Sequence, residues 1–113
     1  MIADQDIADK LFSIGVNLGT SQAVTFLQKA ITVLNWHSGT EHLFFDDIKI
    51  DGVMGTKTLL ALQALLTNHD TVHILHYLSA FQEYHYSVNC LGNPGQREFA
   101  RGWDNRTSYE AGY

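Results

Sequence analysis

The sequence predicts an all-α fold of about five helices, interrupted by a short loop or β-hairpin around residues 43–52. Apolar residues recur every three or four positions through most of the chain, which is the spacing of one helical face. Residues that start and stop helices separate these stretches. The region around 43–52 departs from the helical spacing and contains short β-prone runs. A helical domain with one non-helical insertion follows from these three observations.

The first predicted helix spans residues 3–17. Asp4 or Asp6 is positioned to cap its N-terminus, and Gly19 provides the backbone freedom that a helix stop requires. Its apolar face consists of Ile7, Leu11 and Ile14, with Ala8, Phe12 and Val16 on the flank. We expect this face to pack in the core.

The second predicted helix spans residues 21–35, with Thr20 or Ser21 as its N-cap. Its apolar face consists of Ala23, Leu27, Ala30, Ile31 and Leu34, broadened by Val24 and Phe26. Because only a short link separates this helix from the first, we expect the two to pack side by side as a helical hairpin.

The chain after the second helix breaks the helical pattern. Residues 43–45 and 48–50 are short β-prone runs, which form either a small β-hairpin or an extended loop. The pair Asp51-Gly52 is a turn signal that ends this segment, and Gly55 permits a second bend before the next helix.

The third predicted helix spans residues 56–67, with Thr56 as its N-cap. Apolar side chains occur on nearly all of its sides, so we expect a central, buried helix. The fourth predicted helix spans residues 71–89, after a break at residues 68–70. Its predicted core stripe contains Ile74, Tyr77, Leu78, Phe81, Tyr84 and Val88.

A fifth helix is predicted over residues 94–106. Asn93 and Pro94 suit its start, because Asn caps helices and Pro favours the first helical position. Phe99 and Trp103 are four residues apart and therefore share one face of this helix.

Composition and charge exclude several classes of partner. The chain has 113 residues with no linker or repeat, so we expect residues 1–113 to form a single helical domain. The net charge is −5 with histidine neutral. This argues against nucleic acid, since phosphate binding needs a clustered cationic face, and against a polybasic membrane-binding patch.

Three separated pieces of the sequence together resemble a known family. They are residues 8–19 with Ala23 and 27–30, residues 50–59, and residues 98–106. In this order and spacing they are similar to the C-terminal part of the glycoside hydrolase family 108 muramidases, described as a predicted peptidoglycan-binding domain of type 3. These proteins include phage endolysins. The resemblance covers residues 7–106 and implies a small lysozyme-like helical domain whose partner is peptidoglycan.

The catalytic activity of that family does not transfer with the resemblance. Its catalytic glutamate lies in a Glu-Gly-Gly-Tyr segment, which does not occur in this sequence. The resemblance therefore implies a non-catalytic peptidoglycan-binding or lysis-associated domain that needs no cofactor. One alternative is the C-terminal lobe of a split muramidase, which a second protein chain completes; it predicts an exposed apolar patch that involves the first helix. Another is a structural or inhibitory relative without wall contact.

The N-terminus and the single cysteine bear on where the protein folds. The first six residues lack the basic and apolar regions of a secretory signal. Cys90 has no cysteine to pair with, which suits a reducing compartment, and its neighbours favour a structural role. We expect cytoplasmic synthesis, with delivery to the wall by a phage-type or secretion-system route.

Six residues are candidates for contact with the wall. They are Trp36, Asp51, Thr56, Tyr84, Trp103 and Arg106. Aromatic rings stack on the apolar faces of sugars, and arginine binds carboxylates and phosphates. Other roles stay open: Tyr84 and Trp103 in the core, Asp51 in its own turn, and Arg106 paired with an acidic neighbour.

Three histidines raise the question of a metal site. His69, His73 and His76 are spaced at i, i+4 and i+7, which would place them on one helical stripe. Histidines four apart can hold a metal, but the same spacing suits solvated histidines on a helix surface. We assign no metal ligand.

Catalysis by this chain alone would require a carboxyl group with a raised pKa. Glycoside hydrolysis needs an acid in an apolar setting and usually a second carboxylate nearby. The acidic residues around the middle loop are Glu41, Asp46, Asp47 and Asp51. Nothing in their sequence context marks such a setting, so we assign no catalytic residue.

Overall fold

The computed structural model describes residues 4–36, 42–92, 94–99 and 101. Its four α-helices are α1 (Gln5–Leu18), α2 (Thr20–Leu34), α3 (Thr56–Thr67) and α4 (Thr71–Gly92), followed by a 3₁₀ helix over Pro94–Phe99. The described residues contain no β-strand, and none of their helices is long and apolar enough to cross a membrane. The predicted all-α fold is confirmed. The segment before the Asp-Gly turn is a loop and not a β-hairpin.

A single residue joins α1 to α2. Asp4 caps α1, since its Oδ1 accepts a hydrogen bond from the backbone N–H of Ile7 at 3.1 Å. Gly19 adopts a positive φ of 95° and serves as C-cap of α1 and N-cap of α2. The predicted caps Thr20 and Ser21 are wrong, because α2 already begins at Thr20 and has no side-chain cap.

The core draws on all four α-helices. Its buried members are Ile7, Leu11, Ile14, Ala23, Phe26, Leu27, Ile31, Ala61, Leu62, Leu65, Ile74, Leu75 and Leu78. Full burial of one leucine or isoleucine side chain stabilises a fold by about 1.5–3 kcal/mol. Helix α2 packs against α1, α3 and α4, so α2 is the central helix.

The prediction that α3 would be central is wrong. Ala61, Leu62 and Leu65 are buried, but Leu60 is 59% exposed and Ala64 is also exposed. Helix α3 packs mainly on α2 with one face and presents the other to solvent. Apolar residues on every side of a helix do not specify which side is buried, and here the neighbouring elements cover only one.

The predicted core stripe of α4 is also partly wrong. Tyr84 is 71% exposed and Val88 is 46% exposed. Buried polar residues take their place: Lys10 donates from Nζ to Gln82 Oε1 at 2.8 Å, and Gln82 Nε2 donates to the hydroxyl of Tyr86 at 3.0 Å. A polar chain whose members bind one another can occupy an interior face, so α4 turns this face towards α1.

The end of the described chain agrees only in part with the predicted fifth helix over residues 94–106, because Arg101 is α-helical but residues 94–99 are not. A 3₁₀ helix begins at Pro94, as the Asn-Pro start signal predicted, and extends to Phe99. Gly95 directly after Pro94 weakens α-helix formation at this point, and 3₁₀ geometry is common in such short segments. Trp103 and Arg106 lie outside the described residues. Cys90 is buried.

Candidate functional site

The Asp-Gly turn is held by one buried side chain, Gln28 of α2. Its Oε1 accepts hydrogen bonds from the backbone N–H of Asp51 at 3.0 Å and of Gly52 at 2.9 Å. Its Nε2 lies 3.1 Å from each of three acceptors, which are Asp51 Oδ1, the carbonyl oxygen of Val53 and Thr58 Oγ1. Gln28 is fully buried, so this amide fixes both the turn and the first turn of α3 on α2.

The carboxylate of Asp51 stabilises its own turn. It accepts a hydrogen bond from the backbone N–H of Val53 at 3.0 Å, and the amide of Gln28 is its second donor. These bonds lower the pKa of Asp51, with the Val53 bond the larger cause. A general acid needs a raised pKa, so Asp51 is perturbed in the opposite direction.

Gly52 lies directly against the N-terminal half of α2. Its φ of 74° is in the left-handed region that favours glycine. A Cβ at this position would collide with the side chain of Ser21 and come within 3.1 Å of the Ser21 carbonyl oxygen and of Thr25 Oγ1. Glycine is therefore required at position 52 both by the backbone angle and by the close approach to α2.

A second buried amide, Asn35, holds the loop that precedes the turn. Asn35 is 2% exposed. Its Oδ1 accepts from the backbone N–H groups of Phe44 at 3.0 Å and Phe45 at 3.3 Å. Its Nδ2 donates to the carbonyl oxygen of Phe45 at 2.8 Å and to Asp47 Oδ1 at 3.0 Å. Both donors and both acceptor positions of the amide are in use.

The loop and α3 enclose a surface cavity of about 320 Å³, which we call the loop pocket. One wall consists of residues 44–48, and the other consists of Lys57, Leu60, Ala61 and Ala64. The α3 residues follow the i, i+3, i+4, i+7 spacing of a single helical face. The Asp-Gly turn joins the two walls, so Gln28 and Asn35 together determine the shape of the pocket.

A second concave surface lies between α1 and α2, and we call it the α1–α2 groove. Its volume is about 400 Å³, and its lining includes Phe12, Val16, Val24 and Met54. Phe12 is 74% exposed and Val16 is 70% exposed, although both were predicted to flank the core. The flank of the α1 apolar face thus stays open to solvent.

Three of the predicted wall-binding residues lie on the described surface outside the loop pocket. Trp36 is 51% exposed at the end of α2, and Tyr84 is on the outside of α4. Neither ring pairs with another ring within the described part of the chain. Thr56 is exposed and is the first residue of α3, but it is not the predicted cap, because Gly55 occupies the cap position without a side-chain bond. The structure does not bring these residues together into one site.

The three histidines do not share a helical stripe. His69 precedes α4, which begins at Thr71, and has a φ of 64°. Residues at i, i+4 and i+7 share one stripe only within a continuous helix, and the turn at residues 68–70 interrupts the helix between α3 and α4. Among the described residues, no group of three or more His, Cys, Asp or Glu side chains is arranged to hold a metal ion.

Sequence reasoning missed the two amides that organise this region. Gln28 is a buried residue within α2, and Asn35 is the buried residue that directly follows the end of α2. A polar amide embedded in an otherwise apolar helix face was the available signal, since a buried amide requires partners. The partners themselves lie in a distant segment.

No protein-family model, curated protein or solved structure matches this chain.

Proposed function

We propose that this chain is a non-catalytic module of a peptidoglycan-lysis system that binds the cell wall. It contributes attachment to the wall and does no hydrolytic chemistry itself. The proposal rests on the resemblance of three sequence pieces to the C-terminal part of family 108 muramidases, and on one structural observation about those pieces.

The observation is that Gln28 connects two of the three pieces. Gln28 belongs to the first piece, and all of the partners of its side-chain amide (Asp51, Gly52, Val53 and Thr58) belong to the second. A buried amide and the turn that satisfies it depend on each other, because either alone leaves polar groups unpaired. Their joint occurrence supports the interpretation of the pieces as one structural unit.

Co-sedimentation with purified sacculi tests this proposal. We expect the folded protein to pellet with intact sacculi at low salt and to stay in solution after the sacculi are digested to soluble fragments. We also expect no loss of turbidity from a cell-wall suspension with this chain alone. A protein that is folded by circular dichroism yet remains in the supernatant would refute wall binding and favour the structural or inhibitory alternative.

The α1–α2 groove favours a second candidate function, the C-terminal lobe of a split muramidase. Phe12 and Val16 expose apolar surface on the first helix, the region in which the sequence predicted a docking patch. Burial of such side chains against a partner contributes about 25 cal/mol per Å². The occupant would be a second chain that carries the catalytic glutamate.

Mixing experiments separate this candidate from simple wall binding. The two-chain hypothesis predicts turbidity loss only when both chains are present, and loss of that activity in the double variant Phe12→Ser, Val16→Ser. The matched control is Val33→Ser, Val72→Ser, which changes exposed valines at 53% and 56% exposure outside the groove lining. Equal activity of both double variants would exclude the groove as the docking surface.

A further inference from the structure

The loop pocket has the dimensions of a small-ligand site. Its volume of about 320 Å³ is at the lower end of the range of roughly 300–1,000 Å³ that small-molecule sites occupy. Leu60 lines it and is 59% exposed. Ala61 and Ala64 leave space along α3 because their side chains end at Cβ. A ligand that enters must therefore be narrow and partly apolar.

The wall opposite α3 is held in place before any ligand arrives. Asn35 binds the backbone of Phe44 and Phe45 and the carboxylate of Asp47. Loops that are already ordered lose less conformational entropy on binding. The pocket is thus preorganised by contacts with α2 and needs no ligand to form.

Charges of both signs line the pocket. Asp46 and Asp47 are on the loop wall, and Lys57 is on the α3 wall. The side chains of Asp46 and Lys57 have no hydrogen bond or ion pair with another described residue. Helix α3 also lacks a side-chain cap, so its N-terminal N–H groups favour a negative charge near Lys57. The arrangement suits a ligand that carries an ammonium and a carboxylate on an aliphatic chain.

A flat sugar ring fits this surface less well. Phe44 and Phe45 are half-buried and pack against the core cluster, so much of each ring is already covered. The exposed rings of Trp36 and Tyr84 do not line the pocket. The pocket chemistry favours an aliphatic zwitterion over a pyranose face.

We propose that the loop pocket binds the peptide stem of peptidoglycan through diaminopimelic acid. This residue joins an aliphatic chain to an ammonium group, which Asp46 and Asp47 attract, and to a carboxylate, which Lys57 attracts. The inference rests on the proposed wall-binding function and specifies the part of the wall that is recognised.

Titration of the ¹⁵N-labelled protein with a synthetic stem tetrapeptide that contains diaminopimelic acid tests the assignment. We expect saturable shifts of the amide signals of residues 44–48 and 57–64. Acetylation of the side-chain amine of the peptide should weaken binding by about two- to fivefold, the effect of one exposed ion pair. Chitotetraose, which has no peptide, should cause no shifts in these residues.

Two variants with matched controls complete the test. Ala64→Leu fills the pocket from an exposed helix position and should weaken peptide binding by at least about tenfold, whereas Ala80→Leu, at an exposed alanine of α4, should not. Lys57→Ala should weaken it by about two- to fivefold, whereas Lys29→Ala, at an exposed lysine of α2, should not.

The outcomes distinguish the two proposals. The pocket assignment is overturned, and wall binding remains, if Ala64→Leu binds sacculi as well as the wild-type protein does. The same conclusion follows if chitotetraose shifts the amide signals of the pocket residues and the peptide does not. Failure of the wild-type protein to bind sacculi overturns wall binding. Independently, the pocket assignment is overturned if the stem peptide does not shift the amide signals of residues 44–48 and 57–64.

Discussion

Different forces hold the helical side of the molecule and its loop side. Helices α1, α2 and α4 pack through aliphatic side chains such as Ile14, Leu27 and Leu78, each 0% exposed. The loop side, residues 43–55, has no strand partner among the described residues. Several of its backbone polar groups bind instead to Gln28 of α2 and to Asn35, which directly follows α2.

This difference determines how each side responds to substitution. Apolar packing is non-directional and tolerates changes that conserve volume. A buried amide is directional, and its loss leaves donors and acceptors without partners at a cost of about 1–3 kcal/mol for each group. The shape of the loop pocket therefore depends on very few atoms, whereas the helix packing depends on many.

Removal of the Gln28 amide should have the largest effect on the loop side. Gln28→Leu conserves approximate volume but leaves two N–H groups of the turn unpaired, so we expect a loss of about 3–4 kcal/mol in the free energy of unfolding. Urea denaturation followed by circular dichroism measures this loss. The neighbouring exposed variant Lys29→Ala should change stability by less than about 0.5 kcal/mol. Equal midpoints for the two variants would show that the amide does not hold the turn.

Gly52→Ala should have the next largest effect. The added Cβ is strained at a φ of 74° and collides with α2 at Ser21, so we expect a loss of about 2–3 kcal/mol. Gly55→Ala is the control, because a Cβ at Gly55 meets nothing within 4 Å and its φ is −99°. Thermal denaturation of both variants checks the prediction, which fails if Gly55→Ala is the more damaging change.

On the helical side, one substitution at a residue with positive φ should increase the stability of the protein. His69 occupies the left-handed position of a Schellman motif, in which Asp70 N–H donates to the Leu65 carbonyl and His69 N–H donates to the Leu66 carbonyl. His69→Gly should stabilise the protein by about 0.5–1 kcal/mol. Asn68→Gly, at a φ of −84°, should instead destabilise it. A lower midpoint for His69→Gly in urea would contradict the expectation.

The smallest effect concerns the charge of Asp51. Its pKa is below the ordinary value of 3.8, chiefly because the Val53 N–H binds the carboxylate. The unfolded chain therefore takes up this proton first as the pH falls. The contribution of the ionised Asp51 side chain to the free energy of unfolding is fully present above the pKa of the unfolded chain. It is lost as the pH falls below 3.8 towards the pKa of the folded protein.

Urea denaturation from about pH 6 to about pH 2.5 measures this dependence. Asp51→Asn should reduce the slope of stability against pH at the acid end of the range. Because Asp51 is exposed, solvent screens the effect, and we expect it to be modest. Identical slopes for the two proteins would show that Asp51 makes no contribution.

Sequence patterns predicted the helices better than the site. The starts of α3 and α4 and the cap at Asp4 agree with the structure, because helix boundaries depend on nearby residues. The buried sides of α3 and α4 were partly wrong, because apolar residues occur on several sides of these helices. The walls of the loop pocket were not predicted at all.

The sequence by itself determined approximately where the four α-helices lie and that an Asp-Gly turn precedes α3. These features depend on interactions within about four residues, through capping, spacing and backbone freedom. Only the tertiary structure decided that α2 is central and that the amides of Gln28 and Asn35 hold the loop. The bond from Gln28 to Asp51 spans 23 residues of the chain, and no local pattern specifies which distant groups will satisfy a buried amide.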